Sequence, residues 1–217
     1  MKLAERLSQA IAAGIRRIGQ VSIRPDLAGA AYALCHIEDE AADPHSLEIH
    51  NGAAAARDIS TWAEDGHYRF TKSELSLKRG WILRLSSADE LKQALDLFYP
   101  AGVGLWMADK DDHLKIEHLR DKLNRQTGMY RFARNLGDAG AQKLVREVCG
   151  PSNCCVKKIL WQIDSNTPLE DSEASRFDGV VGAFDRQAAI PLLCREACNH
   201  FVAEARKASK AENDAKR

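Results

Sequence analysis

Apolar residues at positions 3, 7, 11, 15 and 18 (Leu, Leu, Ile, Ile, Ile) recur at steps of three and four, which predicts an amphipathic opening helix. The pattern then changes period. Val21–Arg24, Tyr32–Ile37, Leu47–His50 and Trp81–Leu85 are short runs of strand length, with a helical reading for Ala53–Ala63 before the last of them. Ser87 stands three positions before Glu90, a capping-box spacing, and Leu91, Ala94, Leu95 and Phe98 follow as one apolar helix face that Tyr99-Pro100 ends or kinks. Gly102–Ala108 is a short apolar run, and periodicity alone leaves it open between strand and helix.

Beyond Lys110-Asp111-Asp112 the chain becomes charged and helix-compatible from His113 to Arg125, so a domain junction is expected near residue 112. The predicted fold is α+β: a small α+β N-terminal domain, residues 1–112, followed by a mainly helical domain, residues 113–217. In the second part, Asp138 is a candidate N-cap for a helix whose face is Ala141, Leu144, Val145 and Val148, and Gly150-Pro151 stops it just after Cys149. Val156, Ile159, Leu160 and Ile163 keep helical spacing, although Ile-Leu-Trp is also strand-like. The stretch 164–187 reads as a long exposed loop, the last helix is expected to begin near Pro191, and the polar tail after Lys207 is expected to fray.

Charge narrows the function. Lys plus Arg number 31 and Asp plus Glu number 31, so no overall field attracts nucleic acid or an anionic membrane. No run approaches the roughly 18 to 20 apolar residues of a membrane span. A cytoplasmic protein without a signal peptide, a membrane anchor or a nucleic-acid partner is the expectation.

Five of the six cysteines fall between residues 149 and 198, and only Cys35 precedes them. In a reducing compartment such a group of thiols points to metal or redox chemistry. Cys194 and Cys198 are four positions apart, which on a helix would set them on one face, with Cys194 in a first turn where the dipole favours a thiolate. Cys149 and the adjacent pair Cys154-Cys155 are joined by the turn Gly-Pro-Ser-Asn, which brings the chain back on itself. Four thiolates from two segments are the usual requirement of a [4Fe–4S] cluster.

Two blander accounts compete. Cys194, Ala197, Cys198, Phe201 and Ala205 would also make an ordinary apolar helix stripe, since thiols often serve as small buried hydrophobes. Structural zinc is the other, but these spacings lack the CxxC knuckles of most such sites. Whether Cys154 or Cys155 joins Cys149 is left open by spacing.

Elsewhere the residues read more plainly. His36, His45, His50, His67, His113 and His118 show no ligand-like repeat, and His200 lies off the face of Cys198. Arg131, Arg134, Lys157, Lys158 and Arg195 flank the cysteine motifs as a solvated charged face, with the alternative of offsetting the charge of four thiolates. Cys35 reads as core, and Trp62, Trp81, Trp106 and Trp161 as packing residues. No phosphate-binding Gly-rich loop, HExxH or GxSxG occurs, so no catalytic residues are assigned.

The segments Arg125-Gln-Thr-Gly-Met-Tyr-Arg131, Cys155-Val-Lys-Lys-Ile-Leu-Trp161 and Pro191-Leu-Leu-Cys-Arg-Glu-Ala-Cys-Asn199 resemble the [4Fe–4S]-binding domain attached to some sirohydrochlorin cobaltochelatases. The part before them is similar to the stabilising domain that precedes the cluster domain in that family. The resemblance implies a [4Fe–4S] cofactor held by Cys149, Cys155, Cys194 and Cys198, with Cys155 and not Cys154 as the second ligand. The chelatase domain of that family has no counterpart among these residues.

The expected function is therefore that of an electron carrier or accessory subunit for a redox partner protein or enzyme, a tetrapyrrole chelatase in trans among them. A redox or iron sensor whose cluster governs partner binding is the alternative, and a structural zinc protein the third reading.

Overall fold

The computed structural model describes residues 2–24, 31–60, 77–149, 157–169 and 189–214. They group into two compact units. One holds the described residues up to Asp112 together with 189–192, and the other holds the remainder from His113 onward. The fold is α+β, and the return of 189–192 to the first unit makes the division differ from two contiguous stretches of chain.

In the first unit, helix α1 (Leu3–Ala12) buries Ala4, Leu7 and Ile11. It is shorter than its apolar stripe. Gly14 takes a φ of 121°, a conformation that glycine adopts without steric cost, and the chain leaves the helix so that Ile18 belongs to a strand. The strands are β1 (Arg17–Ile18), β2 (Val21–Arg24), β3 (Tyr32–His36), β4 (Glu48–Asn51), β5 (Trp81–Leu85) and, from the later chain, β7 (Ala189–Ile190). Their order is β4-β5-β3-β2-β1-β7, with β4 parallel to β5, β7 parallel to β1 and the other pairs antiparallel.

Alternation along the strands decides which face is buried by what. Val21, Ile23, Leu34, Trp81, Leu83 and Leu85 share the main core with Leu7 and Ile11 of α1. Ala33 and Ile82 contribute instead to a small second cluster with Leu47. Helix α2 (Ala56–Ser60) follows a 3₁₀ turn at Ala53–Ala55, and the part of that expected helix beyond Ser60 lies outside the described residues.

Helix α3 (Ala88–Phe98) begins as its spacing predicts. The Ser87 hydroxyl accepts from Glu90 N at 3.2 Å, while the Glu90 carboxylate accepts from Ser86 N at 2.7 Å, and Leu91, Ala94, Leu95 and Phe98 face the core. The run left open becomes helix α4 (Gly102–Lys110), burying Val103, Trp106 and Met107. Cys35 and His36 are both fully enclosed here. Burial pushes the Cys35 thiol up and the His36 imidazole down, so both are held neutral, and His36 Nδ1 accepts from Glu38 N.

The second unit contains α5 (Leu119–Asn124), a 3₁₀ segment Gly128–Asn135, α6 (Asp138–Cys149), the paired strands β6 (Lys158–Ile159) and β8 (Leu193–Cys194), and α7 (Asn199–Asp214). Asp138 is the first residue of α6 rather than its cap, since Ala141 N bonds to Gly137 O at 2.8 Å, and it pairs with Arg120. Gly140 permits close packing, because a Cβ there would meet Leu136 at 2.9 Å and clash with the Glu212 carboxylate of α7. The core of this unit is Leu119, Leu123, Ala133, Leu136, Leu144, Val145, Ile159, Trp161, Ile163, Phe201, Val202 and Ala205, with Cys149 among them.

Three further expectations are corrected here. The helical spacing around Ile159 gives way to extended chain, because this segment is held on both sides by backbone bonds: Leu119 N to Gln162 O, Arg120 N to Ile163 O and Leu160 N to Cys194 O. The last helix starts at Asn199 and not near Pro191, since Ala189–Ile190 and Leu193–Cys194 are committed to sheets. The tail after Lys207 does not fray at once; α7 runs on to Asp214, with Ser209 buried and Ala208 packed on the core. No helix among the described residues is long and apolar enough to cross a membrane.

Candidate metal centre

Cys149 ends α6, and its position follows from the helix period. Ala141, Leu144 and Val145 fix the inward face, and Cys149, four residues after Val145, falls on the same face and is 7 % exposed. Cys194 is the last residue of β8 and packs against the same apolar cluster. The two thiols, 45 positions apart in sequence, thus belong to one core.

Cys194 and Cys198 do not share a helix face, which corrects the expectation from their spacing. Cys194 is extended. Cys198 is the residue immediately before α7, where its carbonyl accepts from Val202 N at 3.1 Å and its sulfur accepts from Phe201 N at 3.5 Å. It therefore caps the helix as a serine or aspartate would. The helix N-terminus thus faces Cys198 and not Cys194, because the Phe201 N–H, which has no acceptor within the helix, donates to the Cys198 sulfur. Cys198 is exposed and Cys194 half-buried.

Trp161 was expected only to pack. It does pack, 1 % exposed and edge-on to Phe201 at 5.5 Å between ring centroids, but its indole N–H also donates to Cys194 Sγ at 3.4 Å. A buried indole N–H must find an acceptor, and here that acceptor is sulfur. The signal was present in the sequence as the strand-like Ile-Leu-Trp run, although nothing local names its partner. In the thiol form Cys194 directs its own proton to Glu196 O at 3.1 Å.

Cys155, with Cys154 and the turn Gly150-Pro151-Ser152-Asn153, lies outside the described residues. Among the described residues no three His, Cys, Asp or Glu side chains converge as a metal-binding group. The described donors nonetheless suit a soft metal centre: Cys149, Cys194 and Cys198 offer sulfur, and two of them receive N–H groups, as cluster thiolates commonly do. Ion pairs steady the surrounding frame, with Lys122 3.4 Å from Glu196 and Arg125 2.5 Å from Glu117, whose carboxyl is held below its ordinary range by that guanidinium. His200 is exposed and remains unassigned.

The comparisons with known proteins divide the chain in the same sense. Residues 111–207 match the family described as the 4Fe-4S iron-sulfur cluster binding domain, and residues 3–110 match the DR2241 stabilising domain. No curated protein matches the chain. Among solved structures, it is similar to DR2241 from Deinococcus radiodurans, described as a multi-domain protein with structural similarity to chelatases and two additional novel domains. The identity is 25 % and the TM-score 0.73, over 96 % of this chain and 41 % of that one. The chain thus spans well under half the length of that relative.

Proposed function

We propose, for a chain that belongs to the 4Fe-4S iron-sulfur cluster binding family over residues 111–207 and to the DR2241 stabilising family over residues 3–110, that it is an electron carrier or accessory subunit serving a partner enzyme. The ligands are Cys149, Cys155, Cys194 and Cys198. The observation that carries this reading is the pair of N–H donors on the sulfurs of Cys194 and Cys198, which lower the charge density that four thiolates would otherwise concentrate in one site.

Bound there, a [4Fe–4S] cluster supplies reversible one-electron chemistry. The chain's residues set its conditions. Trp161 and Phe201 close the apolar side of the site, and Cys198 lies at the surface, where an electron can leave for a partner. Four protein ligands leave no iron open to substrate, so the role is transfer and not Lewis-acid catalysis. A partner of the tetrapyrrole chelatase class, supplied in trans, fits the chelatase-like character of the longer DR2241.

The test is an anaerobic redox titration of the purified protein. A single reversible one-electron step with an unchanged circular dichroism spectrum supports the carrier; release of iron and loss of structure on oxidation supports instead a sensor. Trp161→Phe keeps an apolar aromatic ring, though a smaller one, and removes the N–H, so the cluster should remain while its potential falls. A loss of about 1 kcal/mol of differential hydrogen bonding corresponds to roughly 40 mV for one electron. An unchanged potential would show that the indole contact to Cys194 does not bear on the cluster.

A further inference from the structure

We infer that the face made by the 3₁₀ segment Gly128–Asn135 and the adjoining side of α7 docks an acidic redox protein, an inference that rests on the electron-carrier reading above. Gly128, at a φ of 56°, turns the chain into this segment, and Met129 and Tyr130 follow with 59 % and 39 % of their surfaces exposed. Around them stand four cations. The Arg206 guanidinium lies over the Tyr130 ring at 6.0 Å, and Lys210 and Arg131 lie over Phe132 at 5.8 and 4.9 Å. Arg134 is exposed on the same segment.

Among the described residues, none of Arg131, Arg134, Arg206 and Lys210 pairs with a carboxylate. The acids of α7 with described side chains are already engaged or turned elsewhere: Glu204 holds Lys207 at 2.7 Å, and Glu212 packs at Gly140 of α6. In a chain of 31 cationic and 31 anionic residues this is a local excess of one sign. Arg206 and Lys210 are also four apart on one helix, a like-charge spacing that weakens a helix, so stability alone does not call for them.

The chemistry of the occupant follows from what remains available. Single-stranded nucleic acid binds basic aromatic surfaces by stacking bases on open ring faces. Here the faces of Tyr130 and Phe132 carry the protein's own cations, which leaves positive charge and the flexible Met129 to meet a partner. Carboxylates around an apolar centre complement that arrangement, and such charge pairing sets the rate of a transient encounter. Arg206 is eight residues beyond Cys198, about 12 Å along the helix, so a protein docked here has its redox centre close to the cysteine site.

The probe is a reduced acidic plant-type ferredoxin mixed with the oxidised holoprotein in a stopped-flow instrument at low and high salt. The double variant Arg131→Glu with Lys210→Glu should be reduced about tenfold or more slowly at low salt, with the difference fading at high salt. Arg131→Lys with Lys210→Arg should keep the rate of the unaltered protein, and a small viologen should reduce all three alike. Equal ferredoxin rates alongside equal viologen rates would overturn the docking face and leave the carrier intact. Failure of viologen to reduce any of them would overturn both. Binding of single-stranded oligouridylate that the reversal abolishes, with ferredoxin rates unaffected, would assign the face to nucleic acid and overturn the inference.

Discussion

Cys194→Ser and Cys198→Ser should each lose the broad visible absorption of an iron–sulfur cluster, whereas Cys35→Ala should keep it in full. The contrast follows from environment. Cys35 sits in β3 opposite Ser22 and Ile82, buried, with its thiol pushed up and therefore protonated at neutral pH. Cys194 and Cys198 each accept an N–H at sulfur, which suits a thiolate. Serine at 194 leaves the Trp161 N–H an oxygen acceptor, so the fold should survive while the ligand is lost. Serine at 198 preserves the helix cap, because its hydroxyl can accept from Phe201 N as the sulfur does. Cys155→Ser should behave like these two and Cys154→Ser like Cys35→Ala. Iron content and absorption, measured on anaerobically purified variants, check all five, and retention of the cluster by Cys194→Ser would remove that residue from the ligand set.

Removing the cluster should lower the thermal stability of the second unit by roughly 10 °C or more, with little change in the first. Cys149 and Cys194 are 45 positions apart, and a cross-link closing a loop of that length is worth up to about 4 kcal/mol in the chain-entropy account. In a domain of this size each kcal/mol moves the midpoint by several degrees. The short strands offer little to replace it, since β6 and β8 are two residues each. Hydrogen exchange before and after chelation should show protection lost at Ile159, Leu160 and the start of α7, and retained in β2, β3 and β5. Equal melting curves and equal exchange patterns would mean that the apo site is already fully held by its apolar core.

The elements that were legible in the sequence are those whose pattern is local. β2 and β5 coincide with their predicted runs, because a short, largely apolar run of strand length is legible as such, and here most of its residues are buried on both faces of the sheet. α3 was legible from Ser87 and Glu90 at its start and Tyr99-Pro100 at its end. What could not be read is what distant residues impose. Ala189–Ile190 and Leu193–Cys194 carry no strand signal of their own and are strands because β1 and β6 pair with them in parallel. The last helix persists through Ser209 because the 3₁₀ segment packs along it, with Lys210 over Phe132. The cysteines were legible by residue type and density, yet the spacing of Cys194 and Cys198 misled, since the helix it suggested begins only after Cys198. The roles of Trp161 and of the Phe201 N–H depend on three-dimensional neighbours, and sequence alone gave neither.

Whether this chain holds one four-iron cluster on cysteine sulfur is decided by quantification of iron and acid-labile sulfide in anaerobically purified protein, with electron paramagnetic resonance before and after reduction. Near four iron and four sulfide per chain, silent as isolated and giving a rhombic signal when reduced by one electron, is the expected result. Stoichiometric zinc without sulfide would contradict it and assign these cysteines to a structural metal site.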